Sequence, residues 1–176
     1  RTGARLDAAM SHGIVQGCGR GFSLKLRVDT MPPRYPALYQ INTRVWLTEL
    51  SRALGRRVTL AEIPDGALDA LATRGFDWVW LLSVWQTGAA GRAVSRANPE
   101  WRRGFEQTLP DLTEDDIAGS GFAITGYSVH PDLGGEAALA QLRERLRQRG
   151  LRLMLDFVPN HVGLDHPWVE SHPDYL

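Results

Sequence analysis

The stretch that decides the fold of this 176-residue chain is Leu151-Arg152-Leu153-Met154-Leu155-Asp156-Phe157-Val158-Pro159-Asn160-His161. Its apolar first half is typical of a buried strand in a parallel sheet, and its second half carries a carboxylate, an amide and an imidazole. Side chains alternate along a strand, so the leucines and Phe157 share one face and Asp156 lies near the end of the opposite row. The stretch therefore predicts a strand that ends in a functional site.

A helix is predicted directly before this strand. Residues 136–149 carry Leu139, Leu142 and Leu146 at the spacing of one helix face, and Gly150 fits the position just after a helix end. A helix that leads through a glycine into a buried strand with a polar tip is typical of a parallel α/β architecture, which places functional side chains at the C-terminal ends of its strands.

An earlier segment follows the same pattern. Residues 76–84 predict a second strand, and Gly75 separates that strand from a preceding helix. Asp65 is the predicted N-cap of this helix, which runs to about residue 74 with Leu68 and Leu71 facing inward. The repetition of helix, glycine and strand supports successive βα units.

The first strand and the longest loop complete the predicted order. Residues 37–45 predict the first strand, and residues 46–54 predict a short helical insertion. Some fifty residues separate the second strand from the helix before the third, and loops of that length are usually functional. Within this loop we expect a mobile Gly/Ala/Arg-rich part at 86–98 and short helices at 99–107 and 113–117, with Pro99 at the first helical position and Thr113 as a cap.

Composition limits the class of protein. A hydrophobic fraction of 43 % and six tryptophans are typical of a globular core, and 20 acidic against 20 basic residues give no indication of nucleic acid or membrane as a partner. No apolar stretch reaches the roughly 20 residues that a membrane span needs. The single cysteine, Cys18, excludes an internal disulfide and favours a reducing compartment, so we expect a cytoplasmic protein. Secretion stays open because the chain begins without methionine.

The Asp156-Phe157-Val158-Pro159-Asn160-His161 string resembles the Asp-x-Val-x-Asn-His motif at the third barrel strand of the α-amylase family of glycoside hydrolases. Three further segments resemble that family in the same order: Tyr39-Gln40-Ile41-Asn42, Gly75-Phe76-Asp77-Trp78-Val79-Trp80-Leu81-Leu82, and Gly121-Phe122-Ala123-Ile124-Thr125-Gly126-Tyr127 continuing to Gly134. The resemblance implies an α/β fold, a partial TIM (β/α)8 barrel made of the first three βα units with a long loop after the second strand. It covers roughly residues 35–168.

The resemblance also implies roles for residues near the strand ends. Asp156 would belong to the floor of the active site and support an arginine on the next strand. His161 would hydrogen-bond a hydroxyl of the sugar at the cleavage subsite, as a binder and not as the proton donor. Phe122 would be an aromatic platform under the same sugar, although anchoring of the loop in the core is the alternative. Asn160 would supply an oxygen to a structural calcium ion, which many relatives lack.

Two aromatic residues are weaker candidates for substrate binding. Tyr127 matches the tyrosine of an Asp-Tyr pair that is usual in the family, but Gly126 stands here in place of the aspartate. Trp85, at the end of the second strand, could line the pocket or belong to the core, and the sequence favours neither reading.

The resemblance implies a retaining enzyme that acts on α-glucosidic bonds of an α-glucan, oligosaccharide or α-glucoside, with no required cofactor. Its nucleophile, acid/base and stabilising aspartate are expected after the fourth, fifth and seventh strands, all downstream of Leu176, so no catalytic residue is assigned within the chain. A closed barrel needs about 250 residues. We therefore expect the chain to be an inactive N-terminal part whose partner is the remaining C-terminal part of its own barrel. Residues 1–34 form an unassigned N-terminal segment, and residues 35–176 form the incomplete barrel.

Alternative classes predict different chemistry. A non-catalytic amylase-like module for sugar binding or interaction would lack the downstream carboxylates, and an unrelated α/β sugar-binding protein is disfavoured by the ordered segments. A zinc hydrolase is disfavoured because no two of the histidines near the C-terminal end, at 161, 166 and 172, stand four residues apart on a helix. The basic run 143–149 is typical of the solvated face of a helix and not of a nucleic-acid site.

Overall fold

A three-stranded parallel sheet lies at the centre of the computed structural model, which describes residues 35–176. Its strands are β1 (Leu38–Asn42), β2 (Trp78–Leu82) and β5 (Arg152–Leu155), in the spatial order β1-β2-β5. Two further strands, β3 (Trp85–Thr87) and β4 (Ile124–Val129), form a separate antiparallel pair. The unassigned N-terminal segment, residues 1–34, lies outside the described residues.

The described part of the chain contains six α-helices, of which the first five lie between strands and the sixth follows β5. They are α1 (Thr43–Leu54), α2 (Asp65–Thr73), α3 (Ala89–Ala97), α4 (Pro99–Thr108), α5 (Gly135–Gln148) and α6 (Trp168–Ser171). Short 3-10 helices span Leu60–Glu62, Glu114–Asp116, Pro131–Leu133 and Pro173–Tyr175. The parallel strands, each separated from the next by helices, form successive βα units.

One face of the parallel sheet is covered by helices. Val79 and Leu81 of β2 are fully buried and pack in one apolar cluster with Leu68 of α2 and with Leu142 and Leu146 of α5. These helix residues are the ones that the sequence spacing places inward, and the predictions are confirmed.

The opposite face of the sheet is much more open. Gln40, Trp80 and Met154 lie side by side across the three strands, and Gln40 and Met154 are exposed while Trp80 is half-buried. In a closed barrel this face points inward. Among the described residues β1 and β5 each keep one unpaired edge, so the chain forms an α/β parallel sheet of the partial-barrel type that the sequence predicts.

The predicted end of the first strand and the predicted N-cap of α2 are wrong, and the second strand, predicted at 76–84, is shorter. The first strand ends at Asn42 and not at residue 45, because the Asn42 side chain accepts the Val45 N–H at 3.3 Å and starts α1 at Thr43. Asp65 is not the N-cap of α2, since Pro64 occupies that position. The Asp65 carboxylate instead accepts hydrogen bonds from Arg145 and Arg149 of α5, at 2.9 and 2.8 Å.

The long loop contains more regular structure than the sequence predicts. Residues 86–98, expected to be a mobile segment, include most of β3 and the whole of α3. The Asp165 side chain accepts the Ala90 N–H at 2.9 Å and so caps this helix from a distant part of the chain. Pro99 does begin α4, with Asn98 as its cap, and Thr113 forms a capping box with Asp116, although the helix it starts is a 3-10 turn.

His130, in the turn before α5, is expected to make the stability of the fold depend on pH. It is buried, and its Nδ1 accepts the Asp132 N–H at 3.1 Å, which requires a neutral ring. Burial, followed by the positive charge of Arg44, lowers the pKa of His130.

The unfolded chain therefore binds more protons than the folded chain once the pH falls through the ordinary histidine value of about 6.5. We expect the free energy of unfolding in urea to decrease between about pH 7.5 and pH 5.5, and His130→Asn to flatten this dependence. The exposed His172→Asn variant is the control. An unchanged slope in His130→Asn would contradict the assignment.

Candidate functional site

The carboxylate of Asp156 is fixed at the C-terminal edge of the parallel sheet. Its residue is only 7 % exposed, and its Oδ1 accepts the indole N–H of Trp80 at 2.9 Å. Its Oδ2 accepts the backbone N–H of Ser83 at 2.6 Å. Two donors, one on β2 and one just after it, thus hold a carboxylate that follows β5. A carboxylate group can accept both of these hydrogen bonds, one on each oxygen.

The backbone turns sharply at Ser83, where β2 leads to β3. Ser83 has a φ of 63°, in the left-handed region that non-glycine residues rarely adopt. Gly121 packs so close that a Cβ on it would lie 2.2 Å from the Ser83 hydroxyl. The turn points the Ser83 N–H at Asp156, and backbone strain of this kind is concentrated at functional sites.

Aromatic side chains lie against the same strand end. The indole N–H of Trp85 donates to the backbone oxygen of Asp156 at 2.8 Å, and the Trp85 ring meets Tyr127 edge-on at 5.3 Å. The Tyr127 hydroxyl accepts the Val158 N–H at 2.8 Å, and its ring stacks on Phe157 at 6.0 Å. Asp156, Trp85 and Tyr127 are therefore brought together, and we call these three residues with Phe157 the strand-end cluster.

The position of Phe157 shows that one prediction about the third strand is wrong. The alternation assigns it to the buried face with the leucines, but β5 ends at Leu155 and Phe157 is 77 % exposed. Beyond the last ladder hydrogen bond the two-residue period no longer fixes the direction of a side chain. Phe157 and Trp80 are site neighbours that the sequence analysis missed, although Trp80 shares the open face by simple alternation.

Asn160 and His161, which follow the end of β5, and Phe122, which belongs to the long loop, are all exposed. Within residues 35–176 the Asn160 and His161 side chains make no hydrogen bond, and Phe122 is 39 % exposed. In the same part of the chain no hydrogen bond joins Asn160 or His161 to the Asp156 carboxylate. The residues of the strand-end cluster thus contact one another, whereas Asn160, His161 and Phe122 are exposed outside this cluster.

The segment that carries Asn160 and His161 is anchored on the long loop. The Gly163 N–H donates to the Ile124 oxygen at 2.8 Å, and a Cβ on Gly163 would lie 2.8 Å from the backbone oxygen of Ala123. Asp165 then caps α3 through Ala90. Because residue 163 is a glycine, the backbone there can lie close to the start of β4. This close contact limits the positions that His161, two residues earlier, can take.

The last described residues add no carboxylate to the strand-end cluster. After α6 the chain forms the 3-10 turn Pro173–Tyr175 and reaches Leu176, which is 60 % exposed. The expectation that the catalytic carboxylates lie downstream of Leu176 concerns residues outside the described chain, so it stays a prediction.

The described residues provide no ready metal site. No group of three or more His, Cys, Asp or Glu side chains lies close enough to hold a metal ion in residues 35–176. Calcium takes six to eight oxygen ligands, and the exposed Asn160 amide does not by itself form such a site, so no step is assigned to calcium. None of the described helices is long and apolar enough to cross a membrane.

Comparison with known proteins identifies the family. Residues 67–175 match the alpha amylase catalytic domain. An alpha-1,4-glucan:maltose-1-phosphate maltosyltransferase of Bifidobacterium longum is 27 % identical over 171 residues, which are 94 % of this chain and 21 % of that protein. A putative maltooligosyl trehalose synthase of Mycobacterium tuberculosis is 41 % identical over 59 residues, 33 % of this chain and 8 % of that protein.

A solved structure supports the same fold. The crystal structure of an alpha-amylase from Lactobacillus plantarum aligns with a TM-score of 0.52 at 22 % identity, covering 79 % of this chain and 26 % of that one. The chain spans about a fifth of the length of the maltosyltransferase. From the matched domain and the parallel sheet with its fixed Asp156, we conclude that the chain belongs to the alpha-amylase catalytic-domain family.

Proposed function

We propose that this chain is part of a retaining glycosidase or transglycosylase that acts on α-glucosidic bonds, and that it supplies one wall of the sugar site. The observation that carries the proposal is the Asp156 carboxylate, buried at the strand end with both oxygens hydrogen-bonded. The maltosyltransferase relative is named for an α-1,4-glucan. We propose an α-glucan or maltooligosaccharide as the substrate.

The hydrogen bonds of Asp156 favour a supporting role. A retaining mechanism needs one carboxylate to attack the anomeric carbon and a second acid to protonate the leaving oxygen, about 5 Å apart. The Asp156 oxygens face Trp80 and Ser83, so this carboxylate is held in place and is not free to attack. We propose that the nucleophile and the acid/base come from strands downstream of Leu176.

His161, Phe122 and two aromatic residues of the strand-end cluster suit contacts with a neutral sugar. His161 presents an imidazole that can donate a hydrogen bond to a hydroxyl of the sugar. If this hydrogen bond strengthens as the sugar ring flattens in the transition state, it lowers the activation barrier of the reaction. Phe122, Tyr127 and Trp85 offer flat faces against which the CH groups of a pyranose pack. Asp156 is the charged residue of the strand-end cluster, and its carboxylate is already hydrogen-bonded. The other three residues of the cluster are aromatic and suit an uncharged ligand.

The exposed face of the sheet supports a partner from the same protein. Gln40 and Met154 lie open on the face that a closed barrel turns inward, and β1 and β5 have unpaired edges among the described residues. We propose that the remaining barrel strands cover them. For the compartment we propose the cytoplasm, from the single cysteine alone.

His161→Ala in the complete enzyme tests the proposed role of this imidazole. Loss of a hydrogen bond that strengthens in the transition state is expected to lower kcat/KM for maltooligosaccharides by about 10- to 100-fold. His172→Ala is the matched control, because His172 is also exposed and stacks on Tyr175. Equal kcat/KM values for the two variants would contradict a sugar contact at His161.

A further inference from the structure

A second candidate site lies beside the first turn of α1. A cavity of about 380 Å³ is lined there by polar groups of Asn42, Arg44, Ser83 and Ser95, and by an apolar wall that includes Phe105 and Leu109. This volume is in the range of small-molecule sites. None of Asp156, His161, Phe122, Tyr127 and Trp85 lines it. Ser83 does line it and donates its backbone N–H to Asp156, so the cavity adjoins the proposed sugar wall but has a different lining.

Positive charge is concentrated around this cavity. Arg44 lines the cavity and, together with Arg57, a neighbouring one of about 290 Å³. Arg92 lies one turn before Ser95 on α3, and its positive charge acts on both Arg44 and His130. Three guanidinium groups thus surround the buried His130.

Two of these guanidinium groups form no hydrogen bond or ion pair within residues 35–176. Arg44 is half-buried; burial lowers its pKa, and the negative charge of Asp132 only partly opposes this effect. The Nε of Arg92 is buried and has no hydrogen-bond partner. Cations that are withdrawn from water without a partner are costly, so both groups would gain from an anion.

The nearby carboxylates are already engaged. Asp132 accepts from Arg57 at 3.0 Å. Asp116 lines the cavity but accepts the hydroxyl and the backbone N–H of Thr113, at 2.6 and 2.9 Å. The first turn of α1 lies next to Asn42, whose side chain accepts the Val45 N–H, and a helix N-terminus favours negative charge.

We propose that this cavity binds a phosphate group, held by Arg44 at the start of α1, with the positive charge of Arg92 nearby. Guanidinium groups match the geometry of phosphate oxygens, and Ser83, Ser95 and Asn42 provide neutral donors at the rim. The phosphate is either free inorganic phosphate or the phosphate of an ester whose organic part packs on the apolar wall. The proposal does not depend on the proposed sugar-site function.

Calorimetric titration of the 176-residue chain with inorganic phosphate, glucose 1-phosphate and glucose tests this proposal. We expect binding of a phosphate compound but not of glucose, and Arg44→Gln should weaken the binding by about tenfold or more. Arg143→Gln is the matched control, since Arg143 is exposed on α5 and has no partner among the described residues. Tighter binding of glucose 1-phosphate would identify an ester site, and tighter binding of inorganic phosphate a site for the free ion.

Two results would overturn the proposal. One is the absence of binding for both phosphate compounds at an ionic strength held constant with chloride. The other is equal weakening by Arg44→Gln and Arg143→Gln, which would indicate general attraction between charges. If Arg44→Gln fails to fold, Arg92→Gln replaces it, because Arg92 is on a different helix and loss of its nearby charge is expected to weaken binding more than Arg143→Gln does.

Discussion

Asp156→Ala is expected to lower the free energy of unfolding by about 2–4 kcal/mol, because it leaves two donors without an acceptor. These donors are the Trp80 indole N–H and the Ser83 backbone N–H, both in partly buried positions. A half-buried donor without an acceptor loses its protein hydrogen bond and only partly recovers one to water. The loss should be seen as a lower midpoint in urea with an unchanged slope.

The conservative variant makes this prediction sharper. Asp156→Asn keeps one acceptor oxygen but turns an amide NH₂ toward the other donor, so its destabilisation should lie between those of wild type and alanine. Asp174→Ala is the control, since Asp174 is exposed near the C-terminal end. If Asp156→Ala unfolds within about 0.5 kcal/mol of this control, the carboxylate does not hold the strand ends together.

Local patterns predict the elements that local spacing determines. The spacing of Leu142 and Leu146 on one helix face predicts that both point inward, and both are buried. Gly150 is predicted just after the helix, and it has a φ of 79°, which glycine adopts without strain. In each case the feature that decides the structure, a helical spacing or a glycine after the helix end, involves residues within about one helical turn. A short segment of sequence is therefore enough to predict it.

Contacts between distant residues explain the errors. The cap on α3 comes from Asp165, 75 residues further along the chain than Ala90, and no pattern within residues 86–98 could show it. The period that assigns Phe157 to the buried face holds only while the strand is paired, and β5 ends two residues earlier. The extent of a strand depends on its neighbours in the sheet, which a single segment does not specify.

The candidate site is predictable in part. The place of Asp156 at the end of an apolar run identifies it, and its burial agrees with a role in the site floor. Its two donors are not predictable in this way, because one is a tryptophan in an otherwise apolar strand and the other is a backbone group. The roles of His161, Asn160 and Phe122 as ligand contacts stay predictions, as does the location of the catalytic carboxylates downstream of Leu176.

The largest expected effect on activity is a complete loss of turnover in the isolated chain. A retaining mechanism needs two carboxyl groups that can reach the glycosidic bond. Asp156 is fixed by Trp80 and Ser83, and Asp165 caps α3. These two carboxylates of the β5 end and its following segment are therefore occupied by structural hydrogen bonds, and we expect neither of them to act on a substrate.

The central claim is that this chain supplies a wall of an α-glucan site and that the catalytic carboxylates lie elsewhere in the enzyme. The most direct test is to follow maltoheptaose by chromatography with the purified 176-residue chain and, in parallel, with the complete enzyme. We predict new oligosaccharides with the complete enzyme and none with the chain alone. Turnover of maltoheptaose by the purified chain alone would contradict this claim.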